Sequence, residues 1–535
     1  MNLVRKYSLL FAIFFWGVLL PLSLIGCKED DSVILDIQPK PFERLLENQK
    51  MPSAIFKVDI NYAVLLPADY NETKVDYPVV YLLHGLDNNE KSWYTEGNIK
   101  YYVDFYKDEI VPMIYVMPVG FNTYYVNKFT GNYPYMDMIT KELVPAIDAR
   151  FRTKRDKSAR AVMGYSMGGY GALILPVLNP DVFTIGVPLS MSFRNDQQYM
   201  AEPQHVFDSQ WGSIFGGQGS SGTARITNYF KQHSPFHFFN TQNTSSFNGL
   251  KLFIDCGDDE ETLSITNDDM HALMRDRQIP HEYRTRNGGH SFDYWKKSYR
   301  EVLLFISNAV RGIPYPSDST PITIGTLIKS NEYETVEESG ISLNVLKPDD
   351  YATSTANYSV VYFIHNHEKD QRTKNLTDVF SLYKNAMTVG KIPKSIIVEI
   401  PFSENLSSAV IAKIIQKIDA SYRTKANKVN RVVLGNLLGG TKANIVVSEN
   451  PALFGSCFLF DAQLKSDTPN PTSGVFYYLD ITDDSNNYKE YHNFYKKIKN
   501  SGIGNEYRVR QGRDNYQSFL NGFGESYSSL FQVLK

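Results

Sequence analysis

The stretch that decides the fold is Ala159-Arg160-Ala161-Val162-Met163-Gly164-Tyr165-Ser166-Met167-Gly168-Gly169. It opens on an apolar run typical of a buried strand and leads into Gly168 to Leu178, which has the composition of a helix. Between them lies a Gly-x-Ser-x-Gly turn, whose glycines allow a bend tight enough to lift the Ser166 hydroxyl off a sheet. The bare pattern is common, and the alternative is a packing turn with an incidental serine. Its place between a strand and a helix favours a functional serine.

Short apolar runs and helix-like stretches alternate on both sides of this turn. Such alternation predicts an α/β fold, in which a mainly parallel sheet carries helices on both faces. Ser166 would then lie where a strand ends and a helix begins, which is where open parallel sheets place their chemistry. The predicted strands are Val79 to Leu83, Met113 to Met117, Ala159 to Met163 and Lys251 to Ile254, and the predicted helices are Met138 to Asp148, Gly168 to Leu178 and Asn267 to Asp276.

A histidine late in the chain is the candidate base. A serine hydroxyl is too weak an acid to attack a carbonyl carbon unaided, and in this kind of fold the base that activates it comes last. Gly288-Gly289-His290 supplies a glycine-flanked histidine between a predicted strand, His281 to Arg286, and a predicted helix, Tyr294 to Ser307. Isolated histidines are usually structural, but only this one of the ten combines that order with that context. Ser166 and His290 are therefore the predicted nucleophile and general base.

Four motifs carry a resemblance that covers about residues 50 to 312. They occur in the order Leu82-Leu83-His84-Gly85, Gly164 to Gly169, Ile254-Asp255-Cys256-Gly257, and Gly288-Gly289-His290 followed by Tyr294-Trp295. This set resembles the esterase D type α/β-hydrolases, which include family-one carbohydrate esterases such as acetyl xylan and feruloyl esterases. The resemblance implies that Ser166 is the nucleophile and His290 the base, with the backbone N–H groups of Met167 and Leu86 as the oxyanion hole. Such a mechanism needs no metal or organic cofactor.

The acidic residue of the triad stays open between two neighbours. Counted from Gly257, the position of the acid in the family falls on Glu260, whereas counting back from His290 over the matched helix and strand gives Glu261. We prefer Glu261, because the helix and His290 fix where a carboxylate can reach the imidazole, and keep Glu260 as the alternative. Most of Asp258-Asp259-Glu260-Glu261 is expected only to line a helix N-terminus, where negative charge is favourable.

The sequence also repeats itself. Matched blocks keep their order, and the spacing between them shrinks along the chain, so the second copy has lost loops. We expect two tandem α/β-hydrolase domains, residues 50–312 and 324–535, joined by a Pro- and Ser-rich linker at residues 313–323. The matched blocks are Tyr77 to His84 with Tyr358 to His365, Ile147 to Lys154 with Ile418 to Lys425, Gly164 to Gly169 with Gly435 to Gly440, and Glu282 to Arg286 with Glu506 to Arg510.

The second copy lacks every chemical group of the first. We therefore expect a degenerate domain that keeps the fold without catalysis, with packing against the first domain as its leading role. His365-Asn366-His367 suggests a metal site, but two alternating histidines without a third ligand are weak evidence for one. The replacements are Leu437 at the place of Ser166, Asp514 at that of His290, Ser485 or Asn486 at that of the acid, and Asn366 at that of Gly85.

The N-terminus has the pattern of a secretion signal. Arg5 and Lys6 precede an apolar run that ends in Leu24-Ile25-Gly26-Cys27. It resembles a bacterial lipoprotein signal over residues 1–26 with lipidation at Cys27, followed by a tether over residues 27–49, and the alternative is an uncleaved membrane anchor. Lys28-Glu29-Asp30-Asp31 resembles the surface-export tag of lipoproteins from the Bacteroides group. The expected location is the bacterial outer membrane, with the cell surface as one option.

The composition limits the function classes. The chain of 535 residues is 42% hydrophobic and has a net charge of -3, which indicates a folded protein and gives no sign of a nucleic-acid partner. Its three cysteines are too few for a disulfide framework or a Cys-rich zinc site. The expected partner is an ester substrate, first of all a polysaccharide or oligosaccharide that carries acetyl or feruloyl groups. The alternatives are a siderophore or other small-ester hydrolase, and a non-catalytic glycan-binding lipoprotein with an esterase-like fold.

One long insertion distinguishes the first copy from the second. It spans residues 194–243 and is expected to cover the mouth of the active site. Its aromatic side chains could stack on a sugar or a feruloyl ring, or could merely pack the lid. They are Tyr199, Phe207, Trp211, Phe215, Tyr229, Phe236, Phe238 and Phe239.

Overall fold

The computed structural model describes residues 43–368 and 370–535. The expected signal peptide, its lipidation site Cys27 and most of the expected tether lie outside the described residues. Residues Arg44–Lys535 form one compact unit. No helix in this part of the chain combines the length and the apolar character needed to cross a membrane. We call residues 43–312 the first half and residues 313–535 the second half.

The strands of both halves join into one sheet, which has sixteen strands over the described residues. Strands of the first half are β1 (Leu45–Ser53), β2 (Val58–Leu65), β3 (Val79–Leu83), β4 (Ile114–Pro118), β5 (Arg160–Tyr165), β6 (Ile185–Leu189), β7 (Lys251–Gly257) and β8 (Glu282–Arg286). Strands of the second half are β9 (Tyr333–Glu338), β10 (Ile341–Leu346), β11 (Ser359–His365), β12 (Ser395–Pro401), β13 (Arg431–Asn436), β14 (Ser456–Phe460), β15 (Phe476–Thr482) and β16 (Asn505–Arg510).

The helices cover both faces of this sheet. Helices of the first half are α1 (Ser92–Thr95), α2 (Ile99–Phe105), α3 (Tyr135–Met138), α4 (Val144–Arg150), α5 (Met167–Leu178), α6 (Asp196–Ala201), α7 (Gln204–Val206), α8 (Ser213–Phe215), α9 (Asn228–His233), α10 (Pro235–Thr241), α11 (Glu261–Asp276) and α12 (Phe292–Val310). Helices of the second half are α13 (Arg372–Thr388), α14 (Ser408–Ser421), α15 (Leu438–Glu449), α16 (Tyr488–Asn500), α17 (Tyr516–Glu525) and α18 (Tyr527–Val533).

The strand order is the same in the two halves. It runs β1-β2-β4-β3-β5-β6-β7-β8 in the first half and β9-β10-β12-β11-β13-β14-β15-β16 in the second, and β8 meets β16 at the centre. Within each half the pairs from β4 to β8 and from β12 to β16 are parallel, whereas β8 and β16 are antiparallel. The expected fold class, two tandem α/β-hydrolase domains with a mainly parallel sheet, is confirmed.

The buried strands show why the sequence forms this sheet. In β3, Val79 and Tyr81 point into one apolar core while Val80 and Leu82 point into another. Successive side chains of a strand alternate between the two faces, so a strand that is buried on both faces must be apolar throughout. The first core continues through both halves on one face of the sheet, which joins them into one folded unit.

The predicted bounds of the tether and of the linker differ from the structure. Residues 45–49, expected as part of the tether, belong to β1, which pairs with β2 in antiparallel fashion. The run Glu47-Asn48-Gln49-Lys50 is polar, but an edge strand needs only one buried face, so polarity did not argue against a strand there. The irregular connection between the halves extends past the expected linker, because the next strand starts at Tyr333.

Two buried ion pairs join the halves in a reciprocal way. Arg508 Nη1 of the second half donates to Asp258 Oδ2 of the first at 2.7 Å. Arg284 Nη1 of the first half donates to Asp483 Oδ2 of the second at 2.5 Å. Each half thus contributes an aspartate and an arginine at equivalent positions, as the two subunits of a symmetric dimer do. All four side chains are buried, and each aspartate is paired with the arginine across the interface. Each arginine also pairs with a glutamate of its own strand, Arg284 with Glu282 and Arg508 with Glu506.

A histidine supports the same interface at the contact between α11 and α16. His492 Nε2 lies 2.7 Å from Asp269 Oδ1, and its Nδ1 is hydrogen-bonded to Asp268. Because carboxylates only accept, both ring nitrogens carry protons and the imidazole is a cation. Burial alone would lower the pKa of His492, but the charge of Asp268 and the hydrogen bonds to both carboxylates raise it to about 9.

This arrangement predicts a loss of stability in mild alkali. A histidine whose pKa is raised from 6.5 to about 9 stabilises the folded state fully below pH 6.5, and that contribution disappears as the pH rises through 9. The loss amounts to about 3 kcal/mol. We expect the melting temperature to fall over this range in the wild type and to change far less in His492→Gln. The control His237→Gln, which removes a histidine bonded to Asp196 outside the interface, should keep the wild-type slope. An equal slope in all three proteins would contradict this role of His492.

Candidate active site

Ser166 lies on a strained turn between β5 and α5. Its backbone has φ 58° and ψ −120°, a region that non-glycine residues enter only when the surrounding structure enforces it. The turn is held by β6 and the residues after it, since Ser166 N–H donates to Leu189 O at 2.9 Å and Ser166 O accepts from Ser192 N–H at 3.0 Å. A Cβ atom on Gly168 would lie 2.2 Å from Leu83 O, so the glycine is required for the turn to approach β3.

The acidic partner of His290 is Glu260, which corrects the preference for Glu261. Glu260 Oε2 accepts from His290 Nδ1 at 2.7 Å, while Glu261 is exposed at the start of α11. The count that favoured Glu261 ran back from His290 through the helix. It is valid only if the helix continues without interruption up to the acidic residue. The helix begins only at Glu261, whose φ of 38° breaks that register, and Glu260 lies in the turn before it.

Glu260 is held rigidly for this contact. Its side chain is fully buried, and its Oε1 accepts from Gly257 N–H at 3.0 Å and from the Ser190 hydroxyl. Ser190 Oγ in turn accepts from Trp295 Nε1 at 2.8 Å. Every partner of the carboxylate is therefore a donor, so both of its oxygens are fixed by hydrogen bonds.

Ser190 is the residue of this group that sequence reasoning missed. Its only signal was a polar residue directly after the apolar run of β6. Trp295 did belong to the motif after His290, but only its contact with Ser190 explains its place there.

Ser166 and His290 line one cavity of about 660 Å³. Within the described residues no hydrogen bond joins the two side chains directly, and catalytic hydrogen bonds often tighten only when substrate is bound. Since His290 Nδ1 is engaged by Glu260, its Nε2 is the nitrogen left to face a substrate or the serine. The remaining lining residues are Gly85, Leu86, Asp87, Asn88, Glu96, Tyr165, Ser291, Phe292, Asp293, Trp295 and Lys296.

The two N–H groups expected as the oxyanion hole have no competing acceptor in the part of the chain that the structure describes. Among residues 43–368 and 370–535, neither Leu86 N–H nor Met167 N–H donates to another protein group. The Leu86 loop is fixed by His84, whose Nε2 accepts from Gly120 N–H at 2.6 Å while its Nδ1–H donates to Gly85 O at 2.7 Å. Burial lowers the pKa of His84 to about 4, so it keeps the neutral form that these two bonds require.

The insertion at residues 194–243 does not line this cavity, contrary to the expectation that it covers the active-site mouth. Its buried aromatic residues instead pack into the first core beside α5, where Phe215 contacts Tyr170 with ring centroids 6.0 Å apart. The rings of Tyr199 and Phe230 stack with centroids 4.0 Å apart, and Phe230 stacks on Phe193 at 5.6 Å. Aromatic residues serve packing and ligand stacking equally well, so composition could not separate the two roles.

The second half keeps the backbone of the turn without its chemistry. Leu437 stands at the place of Ser166 with φ 49° and ψ −122°, and its N–H donates to Phe460 O at 2.9 Å as Ser166 N–H does to Leu189 O. The bond from Asp484 N–H to Gly512 O mirrors that from Asp259 N–H to Gly288 O. Ser485, rather than Asn486, therefore occupies the place of Glu260.

The histidine pair of the second half has no metal-site geometry. His365 Nδ1 lies 3.3 Å from Glu399 Oε1 in the buried interior, whereas His367 is half-buried and its Nδ1 lies 3.1 Å from Glu368 O. No group of three or more His, Cys, Asp or Glu side chains could hold a metal ion within the described part of the chain.

Comparisons with known proteins agree on one family for the first half. The family model described as "Putative esterase" matches residues 53–306. An endo-1,4-beta-xylanase/feruloyl esterase of Xylanibacter ruminicola is 35% identical over 130 residues, which are 22% of this chain and 18% of that protein. An esterase of Mycobacterium tuberculosis is 37% identical over 118 residues, 21% of this chain and 24% of that protein. The match thus spans less than a quarter of these curated relatives.

A solved structure of a ferulic acid esterase aligns over 50% of this chain and 98% of its own, with 24% identity and a TM-score of 0.41. The strand order, the Gly-x-Ser-x-Gly turn after β5 and the family match coincide in the same residues. Residues 53–306 are therefore an esterase-like α/β-hydrolase domain.

Proposed function

We propose that the first half hydrolyses carboxylic esters with Ser166 as nucleophile, His290 as general base and Glu260 as the acid that orients it. The observation that carries this proposal is the buried, fully hydrogen-bonded Glu260 carboxylate on His290, whose ring lines the same cavity as the strained Ser166 turn. Backbone strain and a buried carboxylate are costly, and such features persist where a site requires them.

The reaction follows from these groups. His290 Nε2 takes the proton of the Ser166 hydroxyl as Oγ attacks the ester carbonyl carbon. The carbonyl oxygen becomes an oxyanion, which the N–H groups of Leu86 and Met167 stabilise, each by about 3 to 4 kcal/mol. The tetrahedral intermediate collapses, its C–O bond to the alcohol breaks, and the proton on His290 passes to the leaving oxygen. Water, deprotonated by His290, then hydrolyses the acyl-enzyme and restores Ser166.

The proposed substrate is a plant polysaccharide or oligosaccharide that carries acetyl or feruloyl esters. A relative named for xylanase and feruloyl esterase activity supports this class. The cavity is larger than an acetyl group needs, and the largely buried Phe292 and Trp295 form part of its wall.

A substrate panel tests this proposal. We would measure kcat/KM on p-nitrophenyl acetate, methyl ferulate, acetylated xylan, feruloylated arabinoxylan and a catecholate siderophore ester. We expect at least one acetyl or feruloyl substrate to exceed the siderophore ester by more than tenfold. A preference for the siderophore ester would contradict the substrate class, and hydrolysis of none would contradict the esterase activity itself.

For the second half we propose a domain without ester hydrolysis. Leu437 has no nucleophilic atom, and Asp514 and Ser485 replace the base and the acid. Asn366 replaces Gly85, and its N–H donates to Asn436 Oδ1 at 2.9 Å, so the loop that would offer the second oxyanion donor is tied to its neighbour.

We also propose that the protein is anchored to the outer membrane by a lipid on Cys27. The support is the sequence pattern alone, a charged start, an apolar run and a small residue before the cysteine. Loss of membrane association in Cys27→Ala would support the anchor.

A further inference from the structure

One carboxylate ties the loop of the acid to the loop of the base. Asp258 lies two residues before Glu260, and its Oδ1 accepts from Gly288 N–H at 3.1 Å, two residues before His290. In return, Asp259 N–H donates to Gly288 O at 3.1 Å. The segment 258–260 and the segment 288–290 are therefore held side by side by bonds made through Asp258 and its neighbour.

The other side of Asp258 is held by the second half. Its Oδ2 accepts from Arg508 Nη1 at 2.7 Å and from Tyr507 N–H at 2.9 Å. Its backbone oxygen accepts from Lys499 Nζ at 2.7 Å. All three donors belong to residues 313–535. The second half therefore holds the loop that carries Glu260 through both the side chain and the backbone of Asp258.

These contacts are strong because they are buried. The Asp258 side chain is 2% exposed and that of Arg508 is 8% exposed. Burial raises the pKa of Asp258, and the charge of Arg508 opposes that rise. Without Arg508, the buried carboxylate would lose the cation that pairs with it, and the loop would have to shift or Asp258 would take up a proton.

We propose that Asp258 and Arg508 are positioning residues, through which the second half holds Glu260 and His290 in register for the reaction at Ser166. This inference rests on the esterase function proposed above. It gives the second half a role in turnover that requires no chemistry of its own.

The chain contains a matched control for this proposal. Asp483 makes the mirror set of contacts, with its Oδ2 accepting from Arg284 Nη1 and its Oδ1 accepting from Gly512 N–H at 2.9 Å. In the second half, Ser485 occupies the place of the acid Glu260, and Asp514 occupies the place of the base His290. The two ion pairs therefore stabilise the same interface. Only the pair of Asp258 and Arg508 is adjacent to the loops that carry Glu260 and His290.

The test compares Arg508→Met with Arg284→Met in the full chain. Each variant removes the arginine partner of one buried aspartate and of one glutamate in its own strand, so both melting temperatures should fall to a similar extent. We expect kcat for ester hydrolysis to fall about ten- to hundred-fold in Arg508→Met with KM changed less than twofold, because displacement of catalytic groups by about 1 Å has costs of this order. In Arg284→Met, kcat should stay within twofold of the wild type.

Equal kcat losses in the two variants would overturn the proposal, since a purely structural interface predicts that result. If Arg508→Met does not fold, the near-isosteric pair Asp258→Asn and Asp483→Asn decides by the same criterion. The wild type is measured in the same assay, which separates the two failures. An inactive wild type refutes the proposed function, and the inference with it, whereas an active wild type with an unimpaired Asp258→Asn refutes the inference alone.

Discussion

Ser166→Ala is expected to lower kcat for ester hydrolysis by about three to six orders of magnitude while the melting temperature stays close to that of the wild type. The variant removes the Oγ nucleophile and leaves the turn, the oxyanion donors and the Glu260 contact to His290 in place. The measurement is the steady-state rate on p-nitrophenyl acetate and on the best substrate of the panel. Ser209→Ala, which changes an exposed serine of the insertion, is the control and should be fully active. A loss of less than tenfold in Ser166→Ala would refute the assignment of the nucleophile.

The same variant tests the second half in the intact protein. If residues 313–535 are inactive as proposed, Ser166→Ala should retain no hydrolysis beyond what the oxyanion donors of the first half can support. Covalent labelling with a fluorophosphonate should then be absent from the full chain, because no second activated serine is expected. Labelled protein in Ser166→Ala would show another nucleophile.

Glu260→Gln is expected to lower kcat by about three to four orders of magnitude, as loss of the orienting carboxylate does in other triads. Gly257 N–H, the Ser190 hydroxyl and His290 Nδ1–H all donate to this carboxylate. A glutamine offers one accepting oxygen and one NH₂ group, so at least one of these donors would face another donor. The ring of His290 would then turn or change its tautomer.

Glu261→Gln is the matched control, because it makes the same change one residue away on an exposed side chain. Its kcat should stay within a few-fold of the wild type. Circular dichroism and melting temperature would show that both variants are folded. A larger loss in Glu261→Gln than in Glu260→Gln would restore the sequence-based preference for Glu261.

The sequence predicts well those strands and helices whose apolar residues follow a regular pattern. The predicted strand at Val79 to Leu83 coincides with β3, and the predicted helix at Gly168 to Leu178 differs from α5 by one residue. Both are buried apolar runs bounded by glycine or polar residues, so periodicity and turn signals agree. The positions of Ser166 and His290 followed from motif order in the same way.

The choice of the acid could not be made from periodicity. Glu260 and Glu261 are adjacent, chemically equivalent and both placed before a helix. What separates them is one residue of positive φ at Glu261, a local irregularity that tertiary contacts impose. A shift of one residue at a helix start changes which side chain faces the core, and periodicity does not record it. The spacing counted from Gly257, which falls on Glu260, was the sequence signal that agrees with the contact to His290.

The interface between the two halves could not be predicted from the sequence either. In the strands of Arg284 and Arg508, the residues two positions away, which share the same face, are charged, and this pattern indicates exposure rather than burial. Their burial follows from pairing with Asp258 and Asp483 across the sheet, and such pairs are known only once the strands are placed.

The central pairing of β8 with β16 has a consequence for the history of the chain. A patch that recognises its own copy would assemble a homodimer from separate chains, and that assembly would depend on protein concentration. In this protein the two halves belong to one chain, so the pairing of β8 with β16 is intramolecular. It therefore does not depend on protein concentration. Two copies in one gene product are free to diverge. The second half carries Leu437 and Asp514 where the first carries Ser166 and His290, and it has Asp483 and Arg508 at the interface.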